Sequence, residues 1–125
     1  MSIHVSDTNL NTIFQNIQKH SPYPSKVQIV AVTKGFSHQA ILSALSHNIQ
    51  TIGESRVQEF LNKKPKIKNQ KFEAHLIGHL QSNKIKKAIE LFNVIETVDS
   101  IELAKKIHTH KNGHNKKQRI YIQIN

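Results

Sequence analysis

A chain of 125 residues with 37% hydrophobic content suffices for one modest core. It has no cysteine, which excludes a disulfide framework and any thiolate metal site. The net charge of +10 admits an anionic partner: nucleic acid, an acidic membrane surface or a phosphorylated small molecule. The basic residues are scattered with few aromatics among them, so the plainer reading is lysine as the ordinary surface residue. Their densest cluster, Lys63, Lys64, Lys66, Lys68 and Lys71, surrounds Pro65 and reads as a solvated loop after a helix. The start, MSIHVSDTNLNTIF, lacks the basic and apolar regions of a signal peptide. No apolar run approaches the roughly 20 residues that span a bilayer. A cytoplasmic protein without a membrane partner is expected.

In chain order, Ser6 or Asp7 caps a first helix that carries Leu10, Ile13, Phe14 and Ile17 at helical spacing. The prolines of Ser21 to Ser25 end it. Val27 to Thr33 is a β-branched run that predicts a buried strand. Ser37 caps a helix through Ala40, Ile41, Ala44 and Leu45, and Gln50 to Glu54 is a second strand. Arg56 to Lys63 is a helix with Val57, Phe60 and Leu61 inward, followed by a third strand, Phe72 to Ile77. Asn83 to Phe92 is a helix with Ile85, Ala88, Ile89 and Phe92 on one face, and Val94 to Val98 a fourth strand. Ser100 caps a helix through Leu103, Ala104 and Ile107; a loop, Lys111 to Lys117, leads to a fifth strand, Arg119 to Ile124.

This strict alternation predicts a parallel sheet covered by helices. Right-handed crossovers leave a doubly wound sheet or a (β/α) barrel, and no G-x-G-x-x-G follows the first strand. A complete barrel needs eight strands. Here there are about five, and the chain stops inside the last, so the sequence looks cut short.

In parallel α/β folds, function gathers at the C-terminal strand ends. Those ends hold Thr33-Lys34-Gly35, then Glu54-Ser55-Arg56, then Gly78-His79 with Gln81, Ser82, Asn83 and Lys84, then Thr97 and Asp99, and finally Gln123 and Asn125. A lysine at the rim of an apolar strand is expected to be partly buried, which favours the neutral amine that attacks an aldehyde; the bland alternative is a lysine reaching solvent. Glu54 and Arg56 can orient a ligand, or pair with each other or with nearby lysines. His75 and His79 sit in a strand and a turn without a carboxylate cluster, which disfavours metal binding. Gly78 suits a turn that a side chain would obstruct. His108, His110 and His114 read as surface residues.

The segments VQIVAVTKGFS (27–37), IGESRVQEF (52–60), HLIGHLQSNK (75–84), ETVDSIELAKKI (96–107) and IYIQIN (120–125) together resemble the YggS/PROSC-type pyridoxal phosphate homeostasis proteins. The resemblance covers essentially the whole chain and only the front of the family's fold. It implies a TIM-type (β/α) barrel of the alanine racemase N-terminal-domain kind, here a half-barrel of about five parallel strands, with residues 1–125 as one incomplete domain. It further implies a non-catalytic protein that binds and delivers pyridoxal 5′-phosphate (PLP), carried as a Schiff base on Lys34. Glu54, Ser55, His75, His79 and Asn125 are the other expected cofactor neighbours. Implied partners are PLP itself, apo forms of PLP-dependent enzymes and a second chain completing the barrel. Two positions depart from the family: Ser55 stands where asparagine is usual, and Gly35-Phe36-Ser37 lacks a second lysine. The family's phosphate cradle comes from later strands, so PLP binding by these residues alone is expected to be weak. The competing readings are a cofactor-free basic remnant that binds nucleic acid through charge, and a racemase relative with real catalysis.

Overall fold

The computed structural model describes residues 4–112 and 117–125. His114 therefore lies outside the described residues. Five strands, β1 (Ala31–Val32), β2 (Thr51–Glu54), β3 (Glu73–Leu76), β4 (Val94–Val98) and β5 (Arg119–Ile122), form one sheet in the order β1-β2-β3-β4-β5. Every neighbouring pair is parallel. This is the strand order expected of a barrel sector, and it rules out the doubly wound alternative.

Among the described residues, five helices accompany the sheet: α1 (Asp7–His20), α2 (His38–Ser46), α3 (Val57–Lys63), α4 (Ile85–Leu91) and α5 (Ile101–Asn112). Their starts follow the expected chemistry. The Ser6 hydroxyl accepts from the Asn9 amide at 3.2 Å, Ser37 from Gln39 at 3.3 Å and Ser100 from Leu103 at 3.1 Å. Short 3-10 turns flank α3 and α4. Lys64–Lys66 carries Pro65 after α3, and Ser82–Lys84 takes the residues in which the sequence suggests the start of α4.

The core lies between the helices and one face of the sheet. Ile41 and Ala44 of α2, Phe60 of α3, Ala88 and Ile89 of α4 and Leu103 and Ile107 of α5 pack there against Ile52, Leu76 and Ile95. The Phe60 ring lies 5.0 Å from Phe92 and 6.5 Å from Phe72, centroid to centroid. Because side chains alternate along a strand, the partners of these residues form the opposite, concave face.

Two expectations fail for identifiable reasons. Of the expected strand Val27 to Thr33, only Ala31 and Val32 form β1. Its partner β2 begins at Thr51, with Ala31 opposite Ile52, so the residues before Val30 extend past the end of their neighbour. In α1 only Leu10 is buried, while Ile13 and Phe14 remain exposed. The helix is held by polar ties instead: the Val5 amide donates to Ser43 Oγ at 2.8 Å and His47 Nε2 pairs with Asp7 at 2.9 Å.

Candidate functional site at the strand ends

The chain leaves β1 through Thr33, Lys34 and Gly35. Thr33 is buried and Lys34 is exposed, which corrects the expectation of a partly buried lysine. Its ammonium has no hydrogen-bond or ion-pair partner among the described residues. The backbone around it is fixed. The Thr33 amide donates to Gly53 O at 3.0 Å, continuing the ladder one step past β1. Gly35 adopts φ 78°, in the left-handed region where a side chain is strained, and its amide donates to Glu59 Oε1 at 2.6 Å.

Glu54 does not belong to the ligand-facing set. Its carboxylate is fully buried on the helix side of β2, where Lys63 Nζ reaches it at 2.6 Å and the Thr33 hydroxyl donates to it at 2.8 Å. Alternation dictates this: Glu54 shares a face with Ile52, while Gly53 and Ser55 take the other. Lys63 is likewise not the solvated loop residue its neighbours suggest. It is 7% exposed, whereas Lys64, Lys66, Lys68 and Lys71 are open to solvent.

Ser55 and His79 do come together. With Arg56, Gln58, Gly78, Gln81 and Lys84 they line a cleft of about 450 Å³ between the ends of β2 and β3. The cleft depends on glycine at 78, because an added Cβ there would sit 2.3 Å from Ser55 O and 2.8 Å from Ser55 Cβ. The requirement is thus close backbone approach rather than turn conformation. Thr97 closes the same rim from β4, donating to Gly78 O at 2.8 Å.

His75 lies deeper, on the concave face, one pleat below the rim. It is opposite Gly53 and Val94 in register. Its Nδ1–H donates to Glu96 Oε1 at 2.6 Å, its Nε2 is 3.6 Å from Glu73 Oε1, and its ring meets Tyr121 edge-on at 6.1 Å. Arg119 donates to Glu73 at 2.7 and 3.4 Å. That bond, ahead of the opposing effect of burial, holds the Glu73 carboxyl below its usual range. Asn125 is exposed at the end of the chain, with Gln123 Nε2 donating to its Oδ1 at 2.8 Å. His108 and His110 are exposed on α5. A cavity of about 640 Å³ lined by Phe14, Ile29, Ile49 and Phe72 lies at the opposite, N-terminal ends of the strands, away from Lys34.

The rim thus carries an exposed lysine on a pinned loop after β1 and, between the ends of β2 and β3, a glycine-dependent cleft. The sequence profile described as alanine racemase, N-terminal domain, matches residues 8–125. The chain belongs to that family.

Within the family its resemblances are specific. A bovine pyridoxal phosphate homeostasis protein is 36% identical over 106 residues, covering 78% of this chain and 39% of the relative. The protein of that name from Buchnera aphidicola is 34% identical over 122 residues, covering 94% and 53%. The chain therefore spans about half the length, or less, of these relatives. The structure of PipY from Synechococcus elongatus with PLP bound superposes with a TM-score of 0.79 at 32% identity, over 90% of this chain and 54% of that one. Alanine racemase from Clostridium difficile, at 15% identity and TM-score 0.71, shares the fold.

Sequence reasoning missed Lys63, Glu59, Glu73, Glu96 and Arg119. Some of this was readable. Lys63 follows Phe60 by three positions, so it shares the buried face of α3, and Glu59 precedes it by four. Glu73 and His75 alternate onto one face of β3.

Proposed function

We propose that this chain provides the lysine-bearing part of a PLP-binding barrel, with Lys34 as the attachment residue and binding and delivery of PLP, without catalysis of its own, as its role. The observation that carries the proposal is the exposed, unpartnered amine of Lys34 on a loop pinned at both neighbours, inside the segment that resembles the homeostasis proteins. The residues present fit the cofactor. A primary amine is available at the rim, and Arg56 and Lys84 give the cleft between the ends of β2 and β3 a cationic lining suited to a phosphorylated ligand. The closeness of Gly78 to Ser55 leaves this rim no room for an intervening side chain.

When bound, PLP supplies an aldehyde carbon that condenses with a primary amine to a Schiff base, with loss of one water. The protein's part is to present that amine. Thr33 and Gly35 fix the backbone on either side of Lys34. Ser55 offers a hydroxyl and His79 a ring nitrogen in the rim cleft, and Asn125 is proposed as a further neighbour of the cofactor. Apo forms of PLP-dependent enzymes are the proposed recipients, and the cytoplasm is the proposed location. No described helix is long and apolar enough to cross a membrane.

The test is a titration with PLP followed by visible absorbance. The wild-type chain is expected to develop the band of lysine-bound PLP, and Lys34→Ala to lose it. Binding of an oligonucleotide that weakens with salt, with no such band, would favour a charge-driven role instead.

A further inference from the structure

We infer that Lys63, acting with Glu54 and Glu59, is a positioning residue for Lys34. The inference deepens the functional reading above and rests on it. Lys63 sits 29 positions along the chain from Lys34 and touches neither it nor the cleft; it acts on its backbone neighbours.

The Lys63 ammonium donates to Thr33 O at 3.0 Å and to Glu54 Oε1 at 2.6 Å, and it is ion-paired with Glu59 Oε1 at 2.9 Å. Each carboxylate then reaches the loop. Glu54 Oε2 accepts from the Thr33 hydroxyl at 2.8 Å, and Glu59 Oε1 accepts from the Gly35 amide at 2.6 Å. One buried cation thereby ties down the residue before Lys34 directly, and the residue after it through Glu59. Stability alone does not demand this arrangement, since apolar side chains of similar volume commonly replace a buried ion network without loss. What an apolar replacement cannot do is hold a carbonyl oxygen and an amide at fixed points. With both flanking peptides held, the direction in which the Lys34 side chain leaves the backbone is set before any aldehyde arrives. That pre-orientation is the usual origin of high effective concentration.

The experiment uses the full chain and PLP as probe. Wild type, Glu59→Ala, Glu59→Gln and Lys63→Met are each incubated with PLP and reduced with borohydride, which adds hydride to the carbon–nitrogen double bond and makes the link permanent. Peptide mass mapping then gives the share of label on Lys34 against the surface lysines. A parallel absorbance titration gives affinity, and circular dichroism checks folding. Ile107→Ala, in the α5 core, is a control for destabilisation alone. Glu59→Ala keeps the bonds of Lys63 to Glu54 and Thr33 O, and loses the Gly35 tether together with the Lys63–Glu59 ion pair. We expect it to bind PLP about ten- to a hundred-fold more weakly and to shift label away from Lys34. Glu59→Gln still presents an acceptor to Gly35 and is expected to recover most of the loss. A folded Glu59→Ala with wild-type label share and affinity overturns the inference. So does an equal redistribution of label in Ile107→Ala, which would mark the network as structural. Wild type that leaves Lys34 unlabelled overturns the functional reading itself, and the positioning role with it.

Discussion

Lys63 is taken out of water beside two carboxylates, and the residue-scale consequence is asymmetric. The charge is tolerated because it is hydrogen-bonded to Thr33 O and Glu54 and ion-paired with Glu59. Removing it leaves Glu54, which has no exposed surface, without its counter-charge. Lys63→Met is therefore expected to lower unfolding free energy by about 3–5 kcal/mol. Adding Glu54→Gln to that variant should return part of the loss, and denaturant titration of the two single and one double variant measures it. Gly78 presents the opposite case, where adding atoms is costly. A methyl group 2.3 Å from Ser55 O forces the ends of β2 and β3 apart. Gly78→Ala should be destabilised by about 1–3 kcal/mol, seen as a lower denaturant midpoint, and should bind PLP less well than an equally stable variant elsewhere.

At the scale of elements, α1 and α2 are joined by a titratable clamp. The Ser43 carbonyl, 2.8 Å from His47 Nδ1, is the main cause that raises the His47 pKa above its ordinary value, and Asp7 adds to it. A raised pKa in the folded state means the protonated ring is favoured by folding. The contribution is full below the ordinary histidine pKa and disappears as pH rises through the raised value. The stability difference between wild type and His47→Gln should accordingly be larger at mildly acidic pH than at mildly alkaline pH, read from thermal midpoints in matched buffers.

The same elements show how far sequence reasoning carries. Helix caps at Ser6, Ser37 and Ser100 and the buried stripes of α4 and α5 were legible because local chemistry and periodicity determine them. The brevity of β1 was not, since pairing depends on where Thr51 falls beside it. The rim lysine was legible from its place after an apolar run. Its exposure and the inward turn of Glu54 were not, because they depend on register and on Lys63, nine residues beyond Glu54 at the end of α3.

For the whole molecule, pH dependence on the acid side comes from carboxylates that are held low. Glu59 is depressed chiefly by its bond from Lys63, with the Gly35 amide helping, and Glu73 chiefly by Arg119. Depressed values mean that these groups stabilise the fold above the ordinary glutamate range and cease to do so as pH falls through their folded values. Together with the opposite sense at His47, stability is expected to peak on the acidic side of neutral, above the carboxylate range. Chemical denaturation across a pH series tests this, and Glu59→Gln should flatten its acid limb. Salt should matter less to the Glu59 part of that limb than to the Glu73 part, because the Arg119–Glu73 pair is the more exposed and more strongly screened.

The strand order carries a further consequence for biosynthesis. Each strand pairs with the one made just before it, and the ties that fix the lysine loop all fall between Thr33 and Lys63. Among the described residues, none after Lys63 contributes a bond to them. On a ribosome adding about 5–20 residues per second, the chemical end of the molecule can therefore take shape while α4, α5 and the last strands are still being translated. A nascent chain arrested well past Lys63 should already protect the Gly35 amide from hydrogen exchange, and one arrested before Glu59 has left the exit tunnel should not.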